Sequence, residues 1–450
     1  MVNYLDIKDN IVALATADGL ASVSIIRISG KNLSKAYQLI TKKKKIPKSN
    51  SICFYKIYSP YNKSHLDDGL ISFFTNKNSF TGEDVLEINC HGGNYVASNI
   101  INHIIMSKCA RHALPGEFSF RSFYNGKIDL VQAESINDLI ESETNVYAEK
   151  ALDNINGKLS EIINDIKNKT LKIITLIEHE LDFNEEEIVF TKNKDIIKEL
   201  GNIKSKLEKI ESTSLHSKII RNGIRILILG KPNVGKSSLF NYLMGHQRAL
   251  VSNVAGTTRD TIESVFEIQG YRVTIIDSAG ILETIDDIEK MAMEKTRSEI
   301  ELSNIIIVLA DKISDLNQYD KKIKNKNVIK VLSKSDIIKY QNNNNKILKI
   351  SSVNGNGIEK LLTLLSTEIK GLSGKKNRSS EFLINERHYN IIQESKGYIN
   401  QAILGLKNNI THDVTADILH QFVSVFNNIS SPIDRNDILN NIFSNFCVGK

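Results

Sequence analysis

The stretch "RILILGKPNVGKSS" runs from an apolar segment into a glycine-containing loop and then sets Lys236 and Ser237 side by side. Gly230, Gly235, Lys236 and Ser237 have the spacing of a P-loop, after a predicted strand and before a predicted helix. That order suits phosphate chemistry. Backbone amides from Asn233, Val234 and Gly235 to Ser238 wrap a β-phosphate, the Lys236 ammonium reaches β and γ oxygens, the Ser237 hydroxyl takes Mg2+, and the helix start adds its dipole. A second apolar run, "VTIID", ends in Asp277, and Ser278, Ala279 and Gly280 follow. This DxxG spacing gives a carboxylate that holds Mg2+ through water and a glycine amide that faces the γ-phosphate.

A third cluster selects the base. "VLSKSD" closes a later apolar run, with Lys334 and Asp336 at two positions of an Asn-Lys-x-Asp motif. The carboxylate accepts from N1 and the amino group of guanine, a donor pair that adenine does not offer in that geometry. Ser333 stands where the motif has asparagine, so a hydrogen bond toward the P-loop is expected to be shortened or lost, with guanine preference kept and affinity weakened. "KISSVNGNG" comes next, and Ser351 and Ser352 are candidates for the loop whose amides read the guanine O6. What these motifs lack is a group to orient the attacking water. Ras-type enzymes place a glutamine after the DxxG glycine and borrow an arginine, but this chain has Ile281 there. Arg259 in "GTTRD" follows two threonines, and Thr258 is needed for Mg2+.

The elements that must present these groups are legible as well. "IRILILG", "YRVTIID", "NIIIVLA" and "NVIKVLS" are near-continuous apolar strands of the kind buried on both faces of a parallel sheet. They predict an α/β unit over residues 218–372. Before it, apolar residues such as Ala151, Leu152, Ile155, Leu159, Ile162, Ile163 and Ile166 recur at three- and four-residue steps, which predicts long amphipathic helices over 119–217. Helical patterning returns in 373–450 after the linker "GLSGKKNRSS". Helices on both flanks suggest that the α/β unit is inserted into one helical domain. Residues 1–118 show short apolar runs broken by turns and read as an α+β domain.

Bulk properties set the frame. With 450 residues, 41% hydrophobic and 24% charged, the chain is globular material for two to four domains. Lys plus Arg exceeds Asp plus Glu by 58 to 52, a net +6 that is compatible with RNA contact without demanding it. Four cysteines form no CxxC pair, and Cys90-His91 has no second pair at ligand spacing, so neither disulfides nor zinc are expected. No apolar run approaches membrane-spanning length and no signal region opens the chain, so a cytoplasmic protein is expected. The lysine run "TKKKKIPK" and the tract "QNNNNK" read as solvated loops.

Beyond the P-loop, "SIIRISG", "SFTGEDVLEINCHGG", "PGEFSFRSFYNGKIDLVQAESINDLI", "VAGTTRDT" and the terminal "FCVGK" occur in an order that resembles the MnmE (TrmE) family of bacterial tRNA-modification GTPases along essentially the whole length. The resemblance implies an N-terminal folate-binding and dimerisation domain, a helical domain built from both flanks, and an inserted Ras-like P-loop GTPase domain. It implies a GTP hydrolase that forms a homodimer and works with an FAD-containing MnmG-type partner. Together they add an aminomethyl or carboxymethylaminomethyl group to C5 of the wobble uridine of certain tRNAs, with a methylene-tetrahydrofolate as one-carbon donor.

Family positions carry over residue by residue. Folate-binding groups fall on Arg27, Glu87, Lys127 and Lys450, and a modification-centre cysteine on Cys447. The "CVGK" end does not satisfy a prenylation signal. The GTP-contacting loop falls on Ser252, Asn253, Val254, Ala255, Gly256, Thr257 and Thr258. A K+ site falls on Asn233, Ser252, Val254 and Thr257, where the ion takes the place of an arginine finger. The catalytic glutamate falls on Glu289 in "DDIEK". "ADGLASVSIIRISG" has fewer glycines than the family's run at this point, while Arg27 is retained. Two other classes share parts of the pattern: a ribosome-assembly GTPase related to Era or Der, and a nucleotide switch that does not hydrolyse. "GLSG" lacks the sequence that would follow it in an RNA-binding KH module, and intact Lys236, Ser237, Asp277 and Glu289 speak against the second.

Overall fold

Strands of the first sheet largely alternate buried and more exposed side chains, the pattern of a sheet with one covered face. In the computed structural model, residues 9–182, 191–246, 263–277, 297–321, 323–324, 326–340, 347–372, 382–431, 439, 442–444, 446 and 449 are described. Strands β1 (Ile11–Leu14), β2 (Val23–Gly30), β3 (Ser51–Tyr58), β4 (His65–Phe74), β5 (Asp84–His91) and β6 (Arg111–His112) pair in the order β3-β4-β5-β2-β1-β6. All pairs are antiparallel except β1 with β6. Helices α1 (Ser34–Thr41) and α2 (Asn94–Met106) cover one face, where Tyr37, Ile40, Ile100 and Ile104 pack on Ile26, Ile28, Ile71, Leu86 and Ile88. Arg27 and Glu87 stand opposite one another in the β2–β5 register.

The predicted helical flank resolves into α3 (Glu117–Tyr124), α4 (Leu130–Glu141), α5 (Asn145–Ile155), α6 (Lys158–Leu181), α7 (Asn193–Glu211) and α8 (Ser214–Asn222). Buried Leu159, Ile163, Ile166, Thr170, Ile173 and Ile177 form one stripe along α6, as the spacing predicts.

The second sheet contains β7 (Ile224–Leu229), β8 (Glu263–Ile268), β9 (Tyr271–Asp277), β10 (Ile305–Ala310), β11 (Asn327–Leu332) and β12 (Leu348–Lys349), in the order β12-β11-β10-β7-β9-β8. Only β8 runs antiparallel to its neighbour. Its apolar runs are continuous because both faces are covered. Ile226 and Ile228 of β7 and Ile305 and Ile307 of β10 enter one core with Leu239 and Leu243 of α9 (Lys236–His246) and Leu361 and Leu365 of α10 (Ile358–Leu372). Leu227, Leu229, Ile306 and Val308 enter the core on the other face. Helices α11 (Glu386–Lys407) and α12 (His412–Asn427) follow.

Two compact units emerge. One comprises Met1–Asn137, Asn154–Ile197 and Gly397–Lys450, and the other Asp138–Asp153 and Lys198–Lys396. In the first, α12 lies along α6, and His420 on α12 is 2.8 Å from the Glu178 carboxylate. Phe443 and Phe446 near the chain end pack with Phe120 and Leu130 in the same unit. Among the described residues, no helix is long and apolar enough to cross a membrane.

Candidate functional site

Four sequence motifs follow the carboxyl ends of parallel strands β7, β9, β11 and β12, the edge at which open α/β sheets bind ligands. Gly230 leaves β7 so close to β10 that a Cβ would lie 2.3 Å from the Leu309 carbonyl oxygen. Asn233 (φ 64°) and Gly235 (φ 98°) both take left-handed conformations, which turn the loop into the first turn of α9. Such a turn of consecutive amides at a helix start is an anion-binding concavity. Val234 is buried, and Ser238 is exposed on the first turn of α9.

Lys236 is buried, and its Nζ donates to the carbonyls of Gly230 (3.1 Å) and Lys231 (2.9 Å). Burial lowers its pKa against the opposing pull of Asp277, so a bound polyanion would favour its charged form. The Ser237 hydroxyl donates to Asp277 Oδ2 at 2.7 Å. A hydroxyl and a carboxylate in contact are the hard oxygen donors that suit Mg2+.

The Ser333–Asp336 loop is tied to its neighbours. Ser333 Oγ donates to the P-loop carbonyl of Val234 at 2.6 Å. This corrects the expectation that a serine would shorten or lose that bond: the P-loop carbonyl lies within reach of the shorter side chain. The Ser333 amide donates to Ala310 O (2.9 Å) and the Ser335 amide to Ile350 O (3.0 Å), which joins the loop to β10 and to the segment after β12. Lys334 has φ 59°, its Nζ lies 3.6 Å from Asp311, and Asp336 is exposed. Ser351 is buried, and its Oγ accepts from the amides of Val353 (3.3 Å) and Asn354 (3.4 Å), so its side chain builds the turn. Ser352 is half-buried beside it.

Tyr340 was not singled out from the sequence. Its Oη shares one hydrogen between the carbonyls of Ser333 (2.5 Å) and Asp311 (3.2 Å), bracing the Ser333–Asp336 loop from outside. Burial and the Asp311 charge raise its pKa, which keeps the hydroxyl a donor. "IIKYQNNNN" carries no signal of this role.

Arg27 and Glu87 meet as the strand register requires: Nε donates to Oε1 at 2.8 Å, and both side chains keep about a fifth of their surface exposed. Arg27 also donates to the carbonyl of Gly449 at 3.4 Å, across 422 residues, and its guanidinium lies 5.8 Å from the Phe118 ring centre. Lys127 donates to the Lys77 carbonyl at 2.8 Å. A cluster that sequence reasoning missed lies in the same unit. Arg121, fully buried, joins Glu83 (2.8 Å) and Glu117 (2.9 Å), and Arg111 grips Glu117 with two bonds of 2.8 Å. Burial pushes the Glu117 carboxyl up, but the Arg111 hydrogen bond, the Leu114 amide and the Arg121 charge outweigh it and hold the group below its usual value. The i,i+4 spacing of Glu117 and Arg121 was the available signal.

Ser252, Asn253, Val254, Ala255, Gly256, Thr257, Thr258, Ser278, Ala279, Gly280, Glu289, Cys447 and Lys450 lie outside the described residues. Of the four K+ positions, the structure therefore describes Asn233 alone.

Known families match both flanks. The model described as "GTP-binding protein TrmE N-terminus" matches residues 10–127, and the "MnmE helical domain" model matches residues 130–447. The tRNA modification GTPase MnmE of Clostridioides difficile (strain 630) is 35% identical over 461 residues, covering 99% of this chain and all of its own. Its counterpart in Acetivibrio thermocellus is 36% identical with 98% and 99% covered, and that of Mycoplasma mobile is 36% identical with 98% and 100% covered. A solved Era structure from Aquifex aeolicus is 26% identical over 39% of this chain and 66% of its own, with a TM-score of 0.27 that is too low to carry weight. Matched from end to end by these relatives and by models of both the N-terminal and helical domains, the chain belongs to the MnmE family of tRNA modification GTPases.

Proposed function

We propose that the chain couples K+-dependent GTP hydrolysis to the installation of an aminomethyl or carboxymethylaminomethyl group at C5 of a tRNA wobble uridine. In this reading it acts as a homodimer with an FAD-containing MnmG-type partner and a tetrahydrofolate one-carbon donor. The observation that carries the GTPase part is the convergence of Lys236, the Ser237–Asp277 pair and the Ser333–Asp336 loop on one edge of a parallel sheet. End-to-end similarity to MnmE relatives supports the tRNA part.

The roles follow from the donor chemistry. Lys236 exchanges its two loop carbonyls for phosphate oxygens, and the amides from Asn233 to Ser238 cradle the β-phosphate. Asp336 accepts from guanine, and the amides around Ser351 and Ser352 face its O6. Ser237 and Thr258, with Asp277 through water, would hold Mg2+, while Asn233, Ser252, Val254 and Thr257 would hold K+. Together the ions supply neutralisation of charge that builds on the phosphates. Glu289 orients the attacking water through a bridging one, the task that Ile281 cannot perform. In this reading hydrolysis is coupled to the meeting of two G domains.

Arg27, Glu87, Lys127 and Lys450 would hold the folate. Arg27 and Glu87 offer a paired guanidinium and carboxylate, a donor and acceptor set suited to a pterin edge and glutamate carboxylates, and the chain end reaches Arg27 through Gly449. Cys447, close by in sequence, serves the modification centre as a nucleophile or positioning thiol. The domains implied are 1–118, 119–217, 218–372 and 373–450.

The test is mass spectrometry of wobble uridines from cells that lack the gene. The reading expects loss of the C5 group. Identical profiles with and without the gene would overturn it.

A further inference from the structure

Lys31 to Lys63 contains nine lysines and no acidic residue, a segment charge of +9 in a chain whose net charge is +6, so the rest of the chain is net acidic. The nine are Lys31, Lys35, Lys42, Lys43, Lys44, Lys45, Lys48, Lys56 and Lys63, and all are exposed. Read from sequence, the central run is a solvated loop. The structure adds three facts.

First, the segment is folded onto itself. Tyr37 and Ile40 of α1 share a core with Ile57 of β3, the edge strand of the first sheet. Lys42 Nζ lies 3.4 Å from the Tyr58 ring centre and donates to the Lys63 carbonyl at 3.5 Å, which draws the end of α1 to the β3–β4 turn. Gln38 holds the Lys44 carbonyl and Ser51 the Lys48 carbonyl. The lysines are thus gathered along one edge, on backbone that helix and strand anchor at both ends.

Second, the charge is uncompensated. None of the nine lysines forms an ion pair among the described residues, and the acids of β4, Asp67 and Asp68, are engaged by His91 and His65. Charge on an edge strand can serve to block strand addition, but only Lys56 lies within β3. The run before the strand needs another reason.

Third, the chemistry favours a hydrophilic polyanion. Ala36, Tyr37 and Ile40 of α1 are buried, which leaves Lys35 and Gln38 on its outer side, so α1 itself offers no apolar face to a bilayer; the exposed apolar side chains of the segment, Ile52 and Phe54, lie within β3 and outside the lysine run. Tyr61, beside Lys63 in the turn, is 61% exposed and offers a ring for stacking on an unpaired base.

We propose that this edge, from the end of α1 through Lys48 to the β3–β4 turn, binds the phosphate backbone of tRNA. The proposal rests on the reading that tRNA is the substrate, and it names the surface that holds it. Each ammonium that meets a phosphate releases a condensed counterion, so affinity falls steeply with salt.

The test measures binding of labelled tRNA to the full-length protein over a KCl series, with Lys42, Lys43, Lys44 and Lys45 changed together to Gln. A charge-matched variant changes the exposed Lys172, Lys192, Lys194 and Lys198 to Gln. The expected result is roughly tenfold or greater loss of affinity, and a salt slope shallower by about one per lost phosphate contact, in the first variant only. GTP hydrolysis stays unchanged in both. Equal affinities and slopes in wild type and the first variant overturn the surface while leaving the tRNA reading intact, and equal losses in both variants reduce it to net charge. Failure of wild type to bind tRNA removes both proposals. Lysine-dependent binding to anionic vesicles in place of tRNA reassigns the edge to a lipid surface.

Discussion

The nucleotide edge of the second sheet and the Arg27 region of the first are built on opposite principles. At the nucleotide edge, Gly230 to Ser237 lie on consecutive residues, so loop, helix start, ammonium and hydroxyl arrive together from one strand–loop–helix unit. At Arg27, the partners come from far apart: Glu87 across a sheet register and Gly449 from 422 residues away. The first arrangement needs only local backbone geometry. The second needs the whole unit folded, including the return of Phe443 and Phe446 to Phe120. Damage should therefore separate: changes near Lys236 should silence chemistry without unfolding, and changes under Arg27 should act through folding.

The largest expected effect is on the local side. Lys236→Ala removes the charge that reaches the phosphates, and hydrolysis should fall by about 100-fold or more while thermal stability changes little. Loss of hydrolysis through unfolding would break the comparison. On the topological side, Arg121→Met should destabilise the first unit by about 3–5 kcal/mol, because Glu83 is left as a buried charge without its ion partner and Glu117 keeps only Arg111. Denaturant unfolding would report it, and GTP binding in the surviving folded fraction should be normal.

The same cluster gives a pH signature. Glu117 has a folded pKa held below the ordinary glutamate value, so its contribution to stability is present above that ordinary value and is lost as pH falls through the folded pKa. Unfolding midpoints measured from neutral pH to below 4.5 should drop, and Glu117→Gln should flatten that part of the curve. The smallest effect belongs to Tyr340→Phe. Loss of one bracing hydrogen bond, worth about 0.5–1.5 kcal/mol, should raise KM for GTP about 2- to 10-fold and leave kcat unchanged. A fall in kcat with KM constant would place Tyr340 outside base recognition.

The same contrast sets what the sequence reveals. β7, β9, β10 and β11 were legible because burial on both faces leaves unbroken apolar runs, and the P-loop because its chemistry needs fixed spacing. The first sheet was legible as strands, but not in its order, since register is decided by packing between segments remote in sequence. Arg27, Glu87 and Lys127 were assigned through family resemblance, and a register that pairs Arg27 with Glu87 is invisible to local pattern. Ser333 shows the limit even inside a motif. Its bond to Val234 depends on how closely two loops approach, which residue type alone does not specify. Tyr340 and Arg121 sit in unremarkable stretches, and only the fold turns them into braces.

The central claim is that this chain hydrolyses GTP with K+ in place of an arginine finger. The most direct measurement is the GTP hydrolysis rate of the full-length protein in KCl and in NaCl at equal ionic strength, with Mg2+ constant. The account predicts a rate at least about tenfold higher in KCl, within the range that one transition-state charge stabiliser supplies. Equal rates in the two salts would contradict it.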